Sequence, residues 1–304
     1  MTVLGPVLVA TDFSAHARHA ADRAARVAHE ASSPLTLMHV LAGDALAQLR
    51  GWLGAGAAAE QLMRDEAQRQ LRRLADELRA SRHVAVDLHE AAGAVLDEIV
   101  REAEALQAGL IVTGARGAGF LRRLMLGTTS ERLMNRTTRP LLVVRQTAHE
   151  PYRRVLVPVD FSPWSLNALA IARRVAPNAQ FVVMSAFEVP FESKLRFAGI
   201  EPAMIERYRE RARADATQRA HALAAQAGLK PGRWQPCIVE GDASLRIVEK
   251  EQDLDCDLVV MGKHGQSATV DLLLGSTTKH VLAEGSADVL VSTGREDDRP
   301  VPPC

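Results

Sequence analysis

Aromatic residues make up only 4% of the 304-residue chain, which is poor material for stacking platforms. No charge of one sign dominates either: Lys+Arg and Asp+Glu both count 37. A general nucleic-acid binder carries a basic excess, so that class is excluded as an expectation. No apolar stretch exceeds the length of a strand, and no membrane span is expected. The opening Val3-Leu4-Gly5-Pro6-Val7-Leu8-Val9 lacks the basic start and apolar length of a secretory leader, so a cytoplasmic location is expected. Three cysteines, Cys237, Cys256 and Cys304, form no disulfide or zinc framework. The first two read as small buried hydrophobes, and Cys304 as exposed on a Pro-rich tail. Also missing are a Ser-His-Asp order with supporting motifs, a Gly-x₄-Gly-Lys-[Ser/Thr] loop, and an evident base to activate water. What is present is ordinary globular composition, 47% hydrophobic and 24% charged, at a length that suggests two domains.

The chain repeats itself. Val7-Leu8-Val9-Ala10-Thr11-Asp12-Phe13-Ser14 recurs as Val155-Leu156-Val157-Pro158-Val159-Asp160-Phe161-Ser162, and 11 of 22 positions agree between 7–28 and 155–176. Gly93 maps onto Gly241, and Gly114, Gly117 and Gly127 map onto Gly262, Gly265 and Gly275. Met38-His39-Val40 matches Met184-Ser185-Ala186 only with a two-residue gap. Two long copies imply paired domains, expected over 1–148 and 149–297 with a flexible tail over 298–304. The junction, near Gln146–Tyr152, is short enough that the halves should pack on each other.

Each half alternates strand and helix. In the first, strands are expected at Val7–Ala10, Leu35–Val40, 84–88, Leu110–Thr113 and Leu141–Val144. Helices are expected over 15–29, along the stripe Met63, Ala67, Leu71, Leu74 and Leu78, over 95–103, and at Thr129–Arg136. The second half repeats the order, with strands at Val155–Pro158, Phe181–Ala186, Gln235–Val239, Leu258–Met261 and Val289–Val291. Its helices fall at 163–175, 203–227, 244–251 and 276–284. This pattern implies βαβ crossovers and a mostly parallel sheet, with ligands beyond the carboxyl ends of the strands.

After the fourth strand of each half comes Gly-x₂-Gly-x₉-Gly-[Ser/Thr]: Gly114, Gly117, Gly127-Thr128, and Gly262, Gly265, Gly275-Ser276. Glycines let backbone N–H groups approach a phosphate without a Cβ in the way. The last glycine and its hydroxyl neighbour open a helix, whose free N–H groups and dipole favour an anion. Thr128 and Ser276 can donate to phosphate or ligate a metal on it. The plainer alternative is that these are only strand-to-helix turn residues.

With these residues in view, the chain resembles a tandem universal stress protein. The resemblance rests on the opening Val-Leu-Val-x-x-Asp-Phe-Ser, Met38-His39-Val40, the glycine pattern and Pro140-Leu141-Leu142-Val143-Val144, and covers nearly the whole chain twice. It implies two five-stranded, mostly parallel α/β sandwiches, Rossmann-like and of adenine-nucleotide-binding type, related by a pseudo-twofold and paired through their last strands. It also implies ATP, with Mg²⁺, as ligand. Asp12 would reach the ribose, Val40 would offer backbone contacts to adenine, and Gly114, Arg116, Gly117, Gly127, Thr128 and Thr129 would hold phosphates. In the second half Asp160, Ala186, Gly262, Gly265, Gly275, Ser276 and Thr277 would do the same.

The halves differ. Between the second and third glycines stand Arg122 and Arg123 in the first half, but Val270 and Asp271 in the second. An Asp near phosphates is unfavourable unless it points away or helps hold a metal, so tighter ATP binding is expected in the first half. Pro140-Leu141 becomes Asp288-Val289, so the pairing of last strands should not be perfectly symmetric. Asp12 and Asp160 could instead be helix caps. His16 and His19, one turn apart, read as solvated rather than as metal ligands. His39 reads equally as pocket lining or packing, and His264 could meet phosphate when protonated. The Gly/Ala/Leu-rich 43–59 reads as a surface loop-helix, and the alternating charges of Arg207–Arg219 as a solvated helix face. The expected function is ATP binding with a regulatory, stress-response output toward an unidentified protein partner, without nucleic acid or membrane. A homodimer of the tandem chain is left open. A nucleotide-independent interaction module is the alternative, and a slow ATPase or adenylate-transfer enzyme is a third reading.

Overall fold

The structure is a computed structural model and describes residues 3–43, 56–115, 128–190, 192–198, 200–265 and 274–293. In the first half the order is β1 (Val7–Ala10), α1 (Ala15–Glu30), β2 (Leu35–Ala42), α2 (Gly56–Arg82), β3 (Val86–Gly93), α3 (Val95–Ala105), β4 (Leu110–Gly114), α4 (Thr128–Arg136) and β5 (Leu141–Val144). The second half runs β6 (Arg154–Pro158), α5 (Pro163–Val175), β7 (Gln180–Phe187), α6 (Glu192–Phe197), α7 (Pro202–Gln226), β8 (Trp234–Glu240), α8 (Ala243–Asp253), β9 (Leu258–Gly262), α9 (Ser276–Glu284) and β10 (Asp288–Ser292). The alternation read from hydrophobic periodicity is therefore the one observed. Several strands run a residue or two longer than the apolar run, and β3 is shifted to Val86–Gly93 from the expected 84–88, because ladder hydrogen bonds rather than apolar residues set the strand ends. The short helix α6 has no apolar periodicity to announce it.

The ten strands among the described residues join one sheet in the order β3-β2-β1-β4-β5-β10-β9-β6-β7-β8. Within each half every pairing is parallel. The halves meet where β10 runs antiparallel to β5, with Val289 opposite Val143, Leu290 opposite Leu142 and Val291 opposite Leu141. The order reads the same from either edge, which is the pseudo-twofold of the repeat. Helices cover both faces, so the central strands are apolar on both sides, as a buried parallel sheet requires. Val7, Val9, Leu142, Val155 and Val157 belong to one core and Leu8, Ile111, Val143, Leu156 and Val259 to the other. α1 fits closely because its buried stripe is mostly alanine: Ala17, Ala20, Ala21, Ala24, Ala25 and Ala28.

The strand register settles the gapped alignment of the halves. Ala10 stands opposite Met38, and Pro158 opposite Met184. Thr11 N donates to Met38 O at 2.8 Å, and Val159 N to Met184 O at 2.7 Å. Val40 and Ala186 thus occupy equivalent places on β2 and β7.

The pairing of the halves is not symmetric in its chemistry. Asp288, at 0% exposure, sits where the first half has Pro140. Its Oδ1 accepts from Arg145 N at 2.7 Å and Gln146 N at 3.0 Å, and its Oδ2 from the Tyr152 hydroxyl at 2.6 Å. Arg23 of α1 brings Nε within 3.2 Å of Oδ2, lies over the Tyr152 ring at 4.1 Å, and donates to Glu150 O at 2.8 Å. Burial pushes the Asp288 carboxyl up, while Arg23, Tyr152 and the two amides pull it down. The connecting segment is therefore fastened to both halves.

Among the described residues no helix is long and apolar enough to cross a membrane, and no group of three or more His, Cys, Asp or Glu residues is placed to hold a metal ion. Cys256 is buried, and burial raises its thiol to about 12. Cys237, expected to be buried, is only half-buried in β8, because that strand is at the sheet edge. Arg116, Gly117, Arg122, Arg123, Gly127, Val270, Asp271, Cys304 and most of 43–59 lie outside the described residues.

Candidate functional site

Strand order reverses direction beside β1 in the first half and beside β6 in the second, since β2 and β4, or β7 and β9, lie on opposite sides of it. Crevices at the carboxyl ends of the strands form at such points. Both strands leave the sheet the same way. Asp12 and Asp160 follow, then Phe13 and Phe161 at φ of 63° and 62°, a left-handed conformation that a bulky side chain rarely adopts. Ser14 then caps α1 through its side chain, while Ser162 holds the N-cap position of α5 without a side-chain cap bond. The aspartates are not the caps. Asp12 Oδ1 accepts from Ser14 N at 3.0 Å, and Asp160 Oδ1 from Ser162 N at 3.0 Å, so each carboxylate braces the turn in front of its helix. In the first half His39 completes the arrangement. Its Nδ1 donates to Thr11 O at 2.8 Å and its ring lies 4.4 Å from that of Phe13, which is a packing role.

The described ends of the glycine-pattern turns also match. Ser130 Oγ donates to Gly114 O at 3.1 Å and Thr278 Oγ1 to Gly262 O at 3.2 Å, tying the third residue of each helix to the glycine that ends the strand. Lys263 N donates to Ser292 O at 2.8 Å and Gly275 N to Lys263 O at 3.1 Å, which draws the start of α9 against the turn. The first N–H groups of α9 have no intrahelical acceptor, so they are available to an anion.

In the second half these parts enclose one cavity of about 1070 Å³. Asp160, Ala186, Gly262, Gly265, Gly275, Ser276 and Thr277, all seven second-half residues named from the sequence, line it. At Gly262 the surroundings require glycine, and at Gly265 an added carbon would displace the end of the Asp160 side chain. A Cβ on Gly262 would lie 2.9 Å from Trp164 Cβ, and a Cβ on Gly265 would lie 2.8 Å from Asp160 Oδ2. The turn therefore packs directly on the residues that follow β6. In the first half Asp12 is exposed, Val40 is half-buried, Gly114 ends β4, Thr128 opens α4 and Thr129 is exposed on its first turn.

Several lining residues were not read from the sequence as site residues. Phe161, Trp164, Ser165 and Phe187 line the cavity, as do Tyr208, Arg211, Asp215 and Arg219 of α7. The charged stretch Arg207–Arg219, read as solvated, thus turns one side to the cavity. Residues 208, 211, 212, 215, 216 and 219 form a helical stripe there, and the guanidinium of Arg219 lies over the Phe161 ring at 4.3 Å. Spacing of three and four was the available signal, but alternating charge concealed it. His264 is in the lining, with its ring 5.1 Å from that of Trp164.

The comparisons with known proteins agree with this architecture. The universal stress protein family model matches residues 4–145 and again 151–292. A universal stress protein of Mycolicibacterium smegmatis is 29% identical over 303 residues, covering 94% of this chain and 96% of its own. Universal stress protein YxiE of Bacillus subtilis is 30% identical over 145 residues, which is 46% of this chain and 97% of that one. The crystal structure of a universal stress protein from Archaeoglobus fulgidus superposes with a TM-score of 0.67 at 18% identity, over 97% of this chain and 100% of that one, a likeness of fold. With two matches that together span nearly its whole length, the chain belongs to the universal stress protein family and carries the family domain twice in tandem.

Proposed function

We propose that the chain binds adenine nucleotide, ATP with Mg²⁺, and that binding serves a regulatory, stress-response role in the cytoplasm. The observation that carries this reading is the second-half cavity, in which the glycine turn, the N-terminus of α9 and Asp160 face one space. About 1070 Å³ is just above the roughly 300–1000 Å³ usual for small-molecule sites. The residues fit a nucleotide. Gly262, Gly265 and Gly275 leave backbone exposed to phosphates, and Ser276 and Thr277 add hydroxyls beside the N–H groups of α9. Asp160 supplies an acceptor for ribose hydroxyls, and the end of β7 at Ala186 offers backbone groups to adenine. Mg²⁺ would be carried on the phosphates, with the Ser276 hydroxyl as its protein ligand. By the repeat, Asp12, Val40, Gly114, Arg116, Gly117, Gly127, Thr128 and Thr129 take the corresponding roles in the first half.

The test is equilibrium dialysis of the intact chain against ATP and Mg²⁺, with the thermal midpoint followed in parallel. The expected result is one to two ATP per chain and a rise in stability of about 2.7 kcal/mol at a hundredfold excess over Kd. No bound ATP at millimolar concentration, with an unchanged midpoint, overturns the reading in favour of a nucleotide-independent interaction module.

A further inference from the structure

We infer that Ser165 is a positioning residue that sets the sugar selectivity of the second-half site, by locking the Asp160 carboxylate in the orientation that reads a ribose diol. The inference rests on the nucleotide reading of the cavity. Ser165 is the third residue of α5, 3% exposed, and lines the cavity with Asp160. Its Oγ donates to Asp160 Oδ1 at 2.9 Å and accepts from Asp160 N at 3.2 Å. One hydroxyl thus holds both the main chain and the side chain of the aspartate. Ser162 N adds a second bond to the same Oδ1 at 3.0 Å. Rotation of an aspartate about its terminal bond is otherwise broad and roughly twofold. With Oδ1 engaged twice, Oδ2 is directed to the Gly265 side of the cavity, 2.8 Å from where a Cβ on that glycine would stand. A preoriented acceptor spends less of its hydrogen-bond energy on ordering itself when a ligand arrives.

The repeat supplies a built-in contrast. Position 165 corresponds to Ala17 in the first half, which has no hydroxyl to give Asp12. The two halves should therefore read the sugar with different stringency although both keep the aspartate. Alanine at the matching place in α1 also shows that this helix turn accommodates a methyl group, so Ser165→Ala is compatible with folding.

The experiment measures binding of ATP, 2′-deoxy-ATP and 3′-deoxy-ATP to the full chain carrying Asp12→Ala, in which the first half has no carboxylate to read a diol. A hydrogen bond to a charged group predicts a preference for ATP over the deoxy analogues of about tenfold or more. Adding Ser165→Ala should reduce that preference to about two- to threefold, and Ser165→Thr, which keeps the hydroxyl, should restore it. If Ser165→Ala weakens all three nucleotides equally, or leaves the preference intact, Ser165 has only a packing role and the inference is overturned. If the Asp12→Ala chain binds ATP without any preference over the deoxy analogues, Asp160 does not read the diol and the inference is likewise overturned. If that chain binds none of the three while the unmodified chain binds ATP, the second half is not a nucleotide site and the inference is overturned with it. Failure of the unmodified chain to bind ATP overturns the nucleotide reading itself.

Discussion

At position 275 a Cβ would find Lys263 O at 3.5 Å and Thr278 Oγ1 at 3.9 Å, both ordinary contacts, and the backbone φ is −59°. The fold does not require glycine there, in contrast to Gly262, where an added carbon meets Trp164 Cβ and the His264 carbonyl. The nucleotide proposed for this cavity would supply a reason at the start of α9. Gly275→Ala is therefore expected to change folding stability by about 1 kcal/mol or less while ATP affinity falls about tenfold, read by urea titration and calorimetry on the same sample. Equal losses in both would show that the glycine serves the turn alone. The residues that line this cavity in common with the sequence reading were legible one at a time, because glycine spacing and a carboxylate after a strand are marked by residue identity. The left-handed Phe13 and Phe161 were not. Phenylalanine has no preference for that conformation, and it is held there by the turn and its packing, including the ring contact with His39 in the first half.

Among the elements, α6 and α7 show how charge pattern alone can mislead. Arg209 of α7 meets Glu192 at 2.9 Å, Glu206 at 3.0 Å and Glu240 at 2.9 Å. These three carboxylates come from α6, α7 and β8, and they raise the guanidinium pKa above its ordinary value. A surface arginine in so many contacts fastens a local segment more than it stabilises the whole chain. Arg209→Ala is expected to increase amide exchange through 192–198 while the thermal midpoint barely moves; exchange unchanged in that segment would count against the clamp. Periodicity located the long elements, since a stripe such as Leu71, Leu74, Ala75 and Leu78 must face a core. It could not locate α6, whose position depends on partners distant in sequence.

In the whole molecule the central seam joins two copies of one fold, but Asp288 makes it one-sided. Its carboxylate accepts hydrogen bonds from Arg145, Gln146 and Tyr152 and lies beside Arg23, whose side chain is 4% exposed. Removing the acid leaves a buried guanidinium without its counter-charge. Asp288→Ala should cost about 3–5 kcal/mol, seen as a lower urea midpoint, and should loosen the 145–152 segment in hydrogen exchange. A midpoint within about 1 kcal/mol of the parent would show that Arg23 finds another partner. The sequence by itself determined the duplication, the α/β alternation, the glycine turns and the aspartates that follow β1 and β6. All of these follow from local periodicity or from residue types with few conformational alternatives. Only the tertiary structure decided how β5 and β10 pair, that Asp288 fastens the connection, that α7 lines the cavity, and that Ser165 holds Asp160. Each of these depends on groups brought together across the sheet or around a turn, where the deciding quantities are distance and burial.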